Sequence, residues 1–369
     1  MKRRTFLESA SGVAALVAFR DGHRAWTTEG ARGWRTFEVT TRLEILDPPG
    51  VTRAWVPLPL MADTDYQKRL GDTWDGNANA ARIWRDERYD AGILCAEWPA
   101  SVKAPMLQVL SRFATLDRAV DRSKPCCNGM SFSSRAAHRT AVADPSLAQY
   151  LEPTKLLPTD GIVAQTARDV TQGKVSPVDK ARAIYEWIVE NTFRDPTVGG
   201  CGTGDIKTML ETGYLGGKCA DLNALFVGLA RAAAIPARAV FGLRVAESKE
   251  FKSLGRAGDV TKAQHCRSEF HDGVRWVPVD PADVRKVVLE EPHIDRTLDD
   301  PVVQQARRKL FGAWEMNYVA YNHAQDLTLP GASGSPVPFL MYPQCETAAG
   351  RKDSVDATAF RYAITAREV

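Results

Sequence analysis

Alternation of apolar and polar residues dominates the first third of the chain. Phe37, Val39, Thr41, Leu43 and Ile45 alternate with Thr36, Glu38, Thr40, Arg42 and Glu44, the period of two that marks a half-buried strand. The turn Asp47-Pro48-Pro49-Gly50 closes it. Leu107, Val109, Ser111, Phe113 and Thr115 repeat the pattern, and short apolar pieces punctuated by Gly and Pro lie between. The spacing predicts a small antiparallel β-sandwich over 33–120, with Trp74, Trp84 and Trp98 read as core rather than as a peptide groove. Residues 121–160 are polar, hold Cys126-Cys127 and several prolines, and read as a linker.

Helical spacing then takes over. Ser176-Pro177-Val178-Asp179 reads as a helix start, with a hydroxyl cap, proline at the first position and an acid in the first turn. Ala181, Ile184, Tyr185 and Ile188 follow on one face. A second helix from Cys219 carries Leu222, Leu225, Phe226, Leu229 and Ala233, and must end before Ile235-Pro236. Strands are expected at 237–245, 263–271 and 274–280. Residues 161–290 thus read as one α+β core, and 291–369 as an extension packing on core or sandwich. In that extension Phe360, Tyr362 and Ile364 alternate like a strand.

A chain of 369 residues, 44% hydrophobic and 25% charged, is globular and long enough for two domains. Its longest apolar run, Val13 to Phe19, falls far short of the ~18 residues that cross a bilayer, which excludes a polytopic membrane protein. The net charge of +3 resides in residues 1–25, and the rest of the chain is near neutral. A protein devoted to phosphate backbones would show a basic stripe or domain, so nucleic acid is excluded as the main partner. The start itself, Lys2-Arg3-Arg4-Thr5-Phe6-Leu7 before a short apolar stretch, resembles a twin-arginine export signal. Residues 1–25 are therefore expected to direct the protein to the periplasm or otherwise out of the cytoplasm. No clean Ala-x-Ala follows, so the segment is cleaved poorly or kept as an anchor.

Seven cysteines leave at least one thiol unpaired in a monomer, and no Cys-x-x-Cys pair suggests zinc. One thiol stands out. Gly216-Gly217-Lys218-Cys219-Ala220-Asp221 places it at a helix start, where free N–H groups, the dipole and Lys218 favour thiolate. The two glycines are expected to let the backbone approach a substrate.

Further on, 265–271 and 274–280 flank Asp272-Gly273, a strong hairpin signal. With those two residues as the loop, 271 pairs with 274 and His265 faces Asp280 across the ladder. Glu269 and His271 share that face. His271 is a rival base, ranked lower because it sits beside the turn. Cysteine, histidine and aspartate are the set for thiol acyl transfer: nucleophile, proton carrier and orienting acid.

These same residues resemble the transglutaminase-like superfamily, a branch of the papain-like fold. Gly-Gly-Lys-Cys219-Ala-Asp-Leu-Asn-Ala-Leu-Phe is similar to its cysteine helix, and Ile-Pro-Ala-Arg238 to the start of the strand that follows. His265-x-x-x-Glu-Phe and Trp276-Val-Pro-Val-Asp280-Pro are similar to its histidine and aspartate strands. Ala234 departs from the glycine usual before Ile-Pro. The resemblance implies a cysteine helix packed on an antiparallel sheet, preceded by an all-β sandwich, with Cys219, His265 and Asp280 as the catalytic set. It also implies action on a peptide or amide carbonyl of a peptide or protein substrate, and hydrolysis is favoured because water is always at hand. Protein-glutamine transfer is the other enzymatic outcome. A catalytically silent envelope binding module on the same fold is the non-enzymatic alternative. No cofactor and no metal are expected.

Overall fold

The computed structural model describes residues 33–120, 144–292, 296–358 and 360–369. The expected export segment lies outside them, as does the Cys126-Cys127 pair. Six strands come first: β1 Arg35–Glu44, β2 Thr52–Pro57, β3 Gln67–Gly76, β4 Ala80–Arg85, β5 Gly92–Trp98 and β6 Met106–Thr115. Helices α1 Gly161–Val170, α2 Pro177–Asn191 and α3 Cys219–Ala232 follow. Strands β7 Ala237–Arg244, β8 Gln264–His271 and β9 Trp276–Val279 lead into helix α4 Pro281–Glu290. The chain closes with β10 Tyr318–Asn322, β11 Gln344–Thr347 and β12 Arg361–Glu368.

These strands build three main antiparallel sheets. One runs β12-β1-β6-β3, with the short strand Gly258–Asp259 beside β12. A second runs β11-β2-β5-β4, with Gly350–Arg351 beside β11. The third runs β9-β8-β7-β10. The period of two predicted for β1 and β6 is what the first two sheets use. Leu43, Leu107 and Val109 from one meet Val56, Leu94 and Trp98 from the other, making the sandwich core. Trp98 is fully buried there, whereas Trp74 is an exposed side chain on β3.

The other end of the first sheet, through Phe37, Val39 and Phe113, packs on Leu243 of β7 and Val319 of β10. Sandwich and core therefore share apolar contacts within the unit spanning 33–369. The join is also ionic: Glu269 on β8, fully buried, accepts from Arg118 at 2.5 Å and from Arg238 at 3.0 Å. Residues 144–160 lie on the core as well, with Leu147, Tyr150 and Leu157 buried. The last part of the chain is divided among all three sheets, since β10 edges the core sheet while β11 and β12 extend the two sandwich sheets.

Helix α2 begins as the sequence predicts, with Ser176 accepting from the Asp179 amide at 3.0 Å. Helix α3 is buried from Cys219 through Arg231, the pattern of a central helix rather than a surface one. It lies on β8, with the Phe226 and Phe270 rings 6.1 Å apart. At its end Ala234 adopts φ +64°, a left-handed conformation that glycine takes without steric cost.

Candidate active site

Cys219 is the first residue of α3, and Asp221 sets that start. One Asp221 oxygen accepts from the Lys218 amide at 2.9 Å, closing the first turn. The other accepts from the amides of Thr203 and Gly204 at 2.9 and 2.8 Å. The 201–204 loop is thereby bound to the helix start, and Ala220 N–H donates to the Cys201 carbonyl at 2.8 Å. This brings a second thiol beside Cys219. The glycines serve this packing: a Cβ on Gly217 would stand 2.6 Å from Asp221 Cβ, and one on Gly216 2.4 Å from the Phe193 ring. The Asp221 side chain and the Phe193 ring thus occupy the space that side chains at 217 and 216 would need.

His265 and Asp280 come together, though by a different register from the one expected. His271 pairs with Trp276 and Ser268 with Val279, so the loop is 272–275, four residues rather than two. Asp272 causes the difference. Its side chain accepts from the Val274 and Arg275 amides, both at 2.9 Å, so it opens the turn instead of sitting at its tip. The register shifts by two, which preserves the face of every side chain, where a shift of one would reverse it. Asp280 lies just past β9, as the N-cap of α4. One oxygen accepts from the Asp283 amide and from Asn223 Nδ2, both at 3.1 Å, and the other stands 2.8 Å from His265 Nε2.

The surroundings fix both groups. Asn223, one helical turn after Cys219, also donates to the Cys266 carbonyl at 2.9 Å. Asp283 takes both contacts of Arg244 Nη2, at 2.6 and 2.9 Å, and stands 3.5 Å from His265 Nε2. Tyr318 donates to the His265 carbonyl at 3.0 Å, with the two rings edge to face. His271, the rival base, is half-buried at the far end of β8 and packs on Trp276. Burial and Arg238 keep its imidazole below the ordinary range despite Asp272.

The charges sort themselves accordingly. Hydrogen bonds with Cys201 and Cys266, and then His265, draw Cys219 well below the ordinary cysteine range, against the pressure of burial. Cys201 and Cys266 are correspondingly raised. Burial and Arg244 press His265 to release its proton, but Asp283 and Asp280 outweigh them and lift the imidazole to about 10. Burial also opposes ionisation of Asp283, yet Arg244 and His265 hold it well down. Both directions favour a thiolate at Cys219 and an imidazolium at His265. His265, Asp280 and Asp283 present ligand atoms within 4.8 Å of one another. Arg244 on Asp283, and Arg267 3.8 Å from Asp280, set guanidinium groups where a cation would need free carboxylate.

Cys219 and His265 open onto a cleft of about 420 Å³, which Cys201, Tyr342 and Tyr362 also line. Sequence reasoning missed Cys201, Cys266, Asn223, Asp283 and Arg244. Two signals for them were present: Asn223 follows Cys219 by one helical turn, and Asp280-Pro281-x-Asp283 has the form of a capped helix start.

A sandwich leading to a cysteine helix on an antiparallel sheet, with histidine and aspartate on neighbouring elements, defines a papain-like, transglutaminase-like α+β protein. The family model of the transglutaminase-like superfamily matches residues 164–281, and this part of the chain is a transglutaminase-like domain. An uncharacterized protein of Haemophilus influenzae is 34% identical over 348 residues, covering 90% of this chain and 91% of its own. A solved Cytophaga hutchinsonii structure, described as a candidate cysteine protease, superposes with TM-score 0.51 at 13% identity, covering 91% of this chain and 98% of its own. The periplasmic domain of TgpA from Pseudomonas aeruginosa gives TM-score 0.35 at 15% identity, over 74% of this chain and 92% of its own.

Proposed function

We propose that the protein is a thiol-dependent acyl-transfer enzyme that opens a peptide or amide carbonyl through a thioester on Cys219, with water as the usual acceptor. The observation that carries this reading is the commitment of His265 Nε2 to Asp280 at 2.8 Å. That contact leaves Nδ1 as the ring nitrogen for the thiol and the substrate.

The thiolate attacks the carbonyl carbon and the oxygen takes up the electron pair. Cys219 N–H, the first donor of α3, takes no backbone partner among the described residues and serves as one donor to that oxygen. The imidazolium then gives its proton to the leaving nitrogen as the C–N bond breaks, and Asp280 keeps the ring oriented. Neutral His265 next removes a proton from water, which attacks the thioester. The acid leaves and the thiolate–imidazolium pair returns. A primary amine in place of water would give transfer by the same steps.

The Arg3-Arg4-x-Phe6-Leu7 pattern supports action outside the cytoplasm, and among the described residues no helix is long and apolar enough to cross a membrane. In Cys219→Ala, release of new amino groups from a mixed peptide pool is expected to vanish while circular dichroism and melting persist. Undiminished release would overturn the assignment, and incorporation of a fluorescent primary amine by the intact protein would identify transfer.

A further inference from the structure

The wall of the cleft is one-signed. Arg194, Lys218, Arg244, Arg256, Lys262 and Lys286 line it, and no carboxylate among the described residues does. Part of this charge is balanced from behind, since Arg194 and Lys286 share Glu290 and Arg244 holds Asp283. The remainder meets acids only at longer range, Asp195 near Lys218 and Asp259 near Arg256 and Lys262. Among the described residues no acid lies within ion-pair distance of Lys218, Arg256 or Lys262. Arg256 spends Nε on the Asp259 carbonyl at 2.8 Å. The exposed Asp259 carboxylate accepts from the Thr261 amide at 3.0 Å, which favours its ionised form, and it lies beyond ion-pair distance of both Arg256 and Lys262.

Outside residues 1–25 the sequence is close to neutral, so this is a local concentration of charge at a cleft that reaches Cys219. Walls of one sign focus potential and raise the local concentration of the opposite charge. An acyl donor with a positive or fully neutral chain would gain nothing from such a wall.

On the reading of Cys219 as nucleophile, we infer that the cleft selects an anionic acyl donor, a peptide bearing carboxylates next to the bond that is opened, with Arg256 and Lys262 as specificity-determining residues at its rim. Both are exposed on the segment between β7 and β8.

Two measurements test this independently of turnover. In the first, the Cys219→Ala protein is titrated with a short acidic peptide, with its Gln-for-Glu counterpart, and with that counterpart carrying a free C-terminal carboxylate. The acidic peptide should bind about tenfold or more tightly than the neutral one at low salt. The gap should close near about 1 M salt and shrink in Arg256→Gln/Lys262→Gln. Tightening by the free terminus alone would assign the carboxylate to the peptide end and still support the inference. Equal binding of all three would overturn it.

In the second, alkylation of Cys219 by iodoacetate is compared with iodoacetamide in the intact protein. A preference for iodoacetate that the double variant reduces supports the charge selection, and a ratio unchanged by the double variant contradicts it. Resistance of Cys219 to both reagents would count against the nucleophile itself, and the peptide titration would still decide the question of charge.

Discussion

Asp280 holds Nε2 of His265 at 2.8 Å from the N-cap of a helix, one residue beyond the strand that pairs with the histidine's own. A cap is a firm mounting. One carboxylate oxygen is spent on the Asp283 amide and Asn223, and the other is left for the imidazole.

Asp280→Asn separates these two roles. Asparagine caps a helix as well as aspartate does, so melting should move by only a few degrees. The charge that stabilises the imidazolium is lost, and turnover should fall by about 10²–10⁴-fold. Kinetics and a melting curve on one preparation check this; a large drop in melting with turnover per folded molecule unchanged would make Asp280 purely structural.

Thiolate formation should be complete well below the ordinary cysteine range, because Cys201, Cys266 and His265 favour the ionised form of Cys219. The rate of Cys219 alkylation against pH reports it directly. Cys201→Ala removes the first of those hydrogen bonds, and the midpoint should rise. At the other end of the profile the imidazolium is needed to protonate the leaving amine. His265 is raised to about 10, so turnover should hold across neutral pH and decline as pH rises through that value. A decline centred near 6.5, the ordinary histidine value, would mean that Asp280 and Asp283 do not hold the proton.

Ala234 holds φ +64° between α3 and β7. A left-handed conformation costs an L-residue about 1–2 kcal/mol, partly offset in glycine by its greater freedom when unfolded. Ala234→Gly should therefore stabilise the fold by up to about 1 kcal/mol, read as an upward shift in the denaturant midpoint. A downward shift would show that the methyl group contributes packing that outweighs the strain.

What the sequence showed clearly was local. The alternation in β1 and β6, the Ser176 cap and the apolar helix after Cys219 each depend on neighbours within a few residues, and each lies where the pattern places it. The hairpin failed by two residues because an Asp side chain competed for turn amides, a choice that hydrophobic spacing does not encode. His265 and Asp280 nevertheless met, because a shift of two keeps the face. The strands β10, β11 and β12 pair with partners far along the chain; alternation marked only β12 as a strand, and it could not say which sheet. Cys201, Arg244 and Asp283 reach the site only through tertiary packing, and the positive wall is legible only once five separated segments are brought together.

The most direct measurement is the mass of the Cys219-bearing peptide after brief exposure of the protein to an activated acyl ester and an acid quench. The account predicts an acyl adduct on Cys219 that hydroxylamine releases, as it does a thioester, and that is missing from Cys219→Ala. An unmodified Cys219, or adducts spread equally over Cys201 and Cys266, would contradict it.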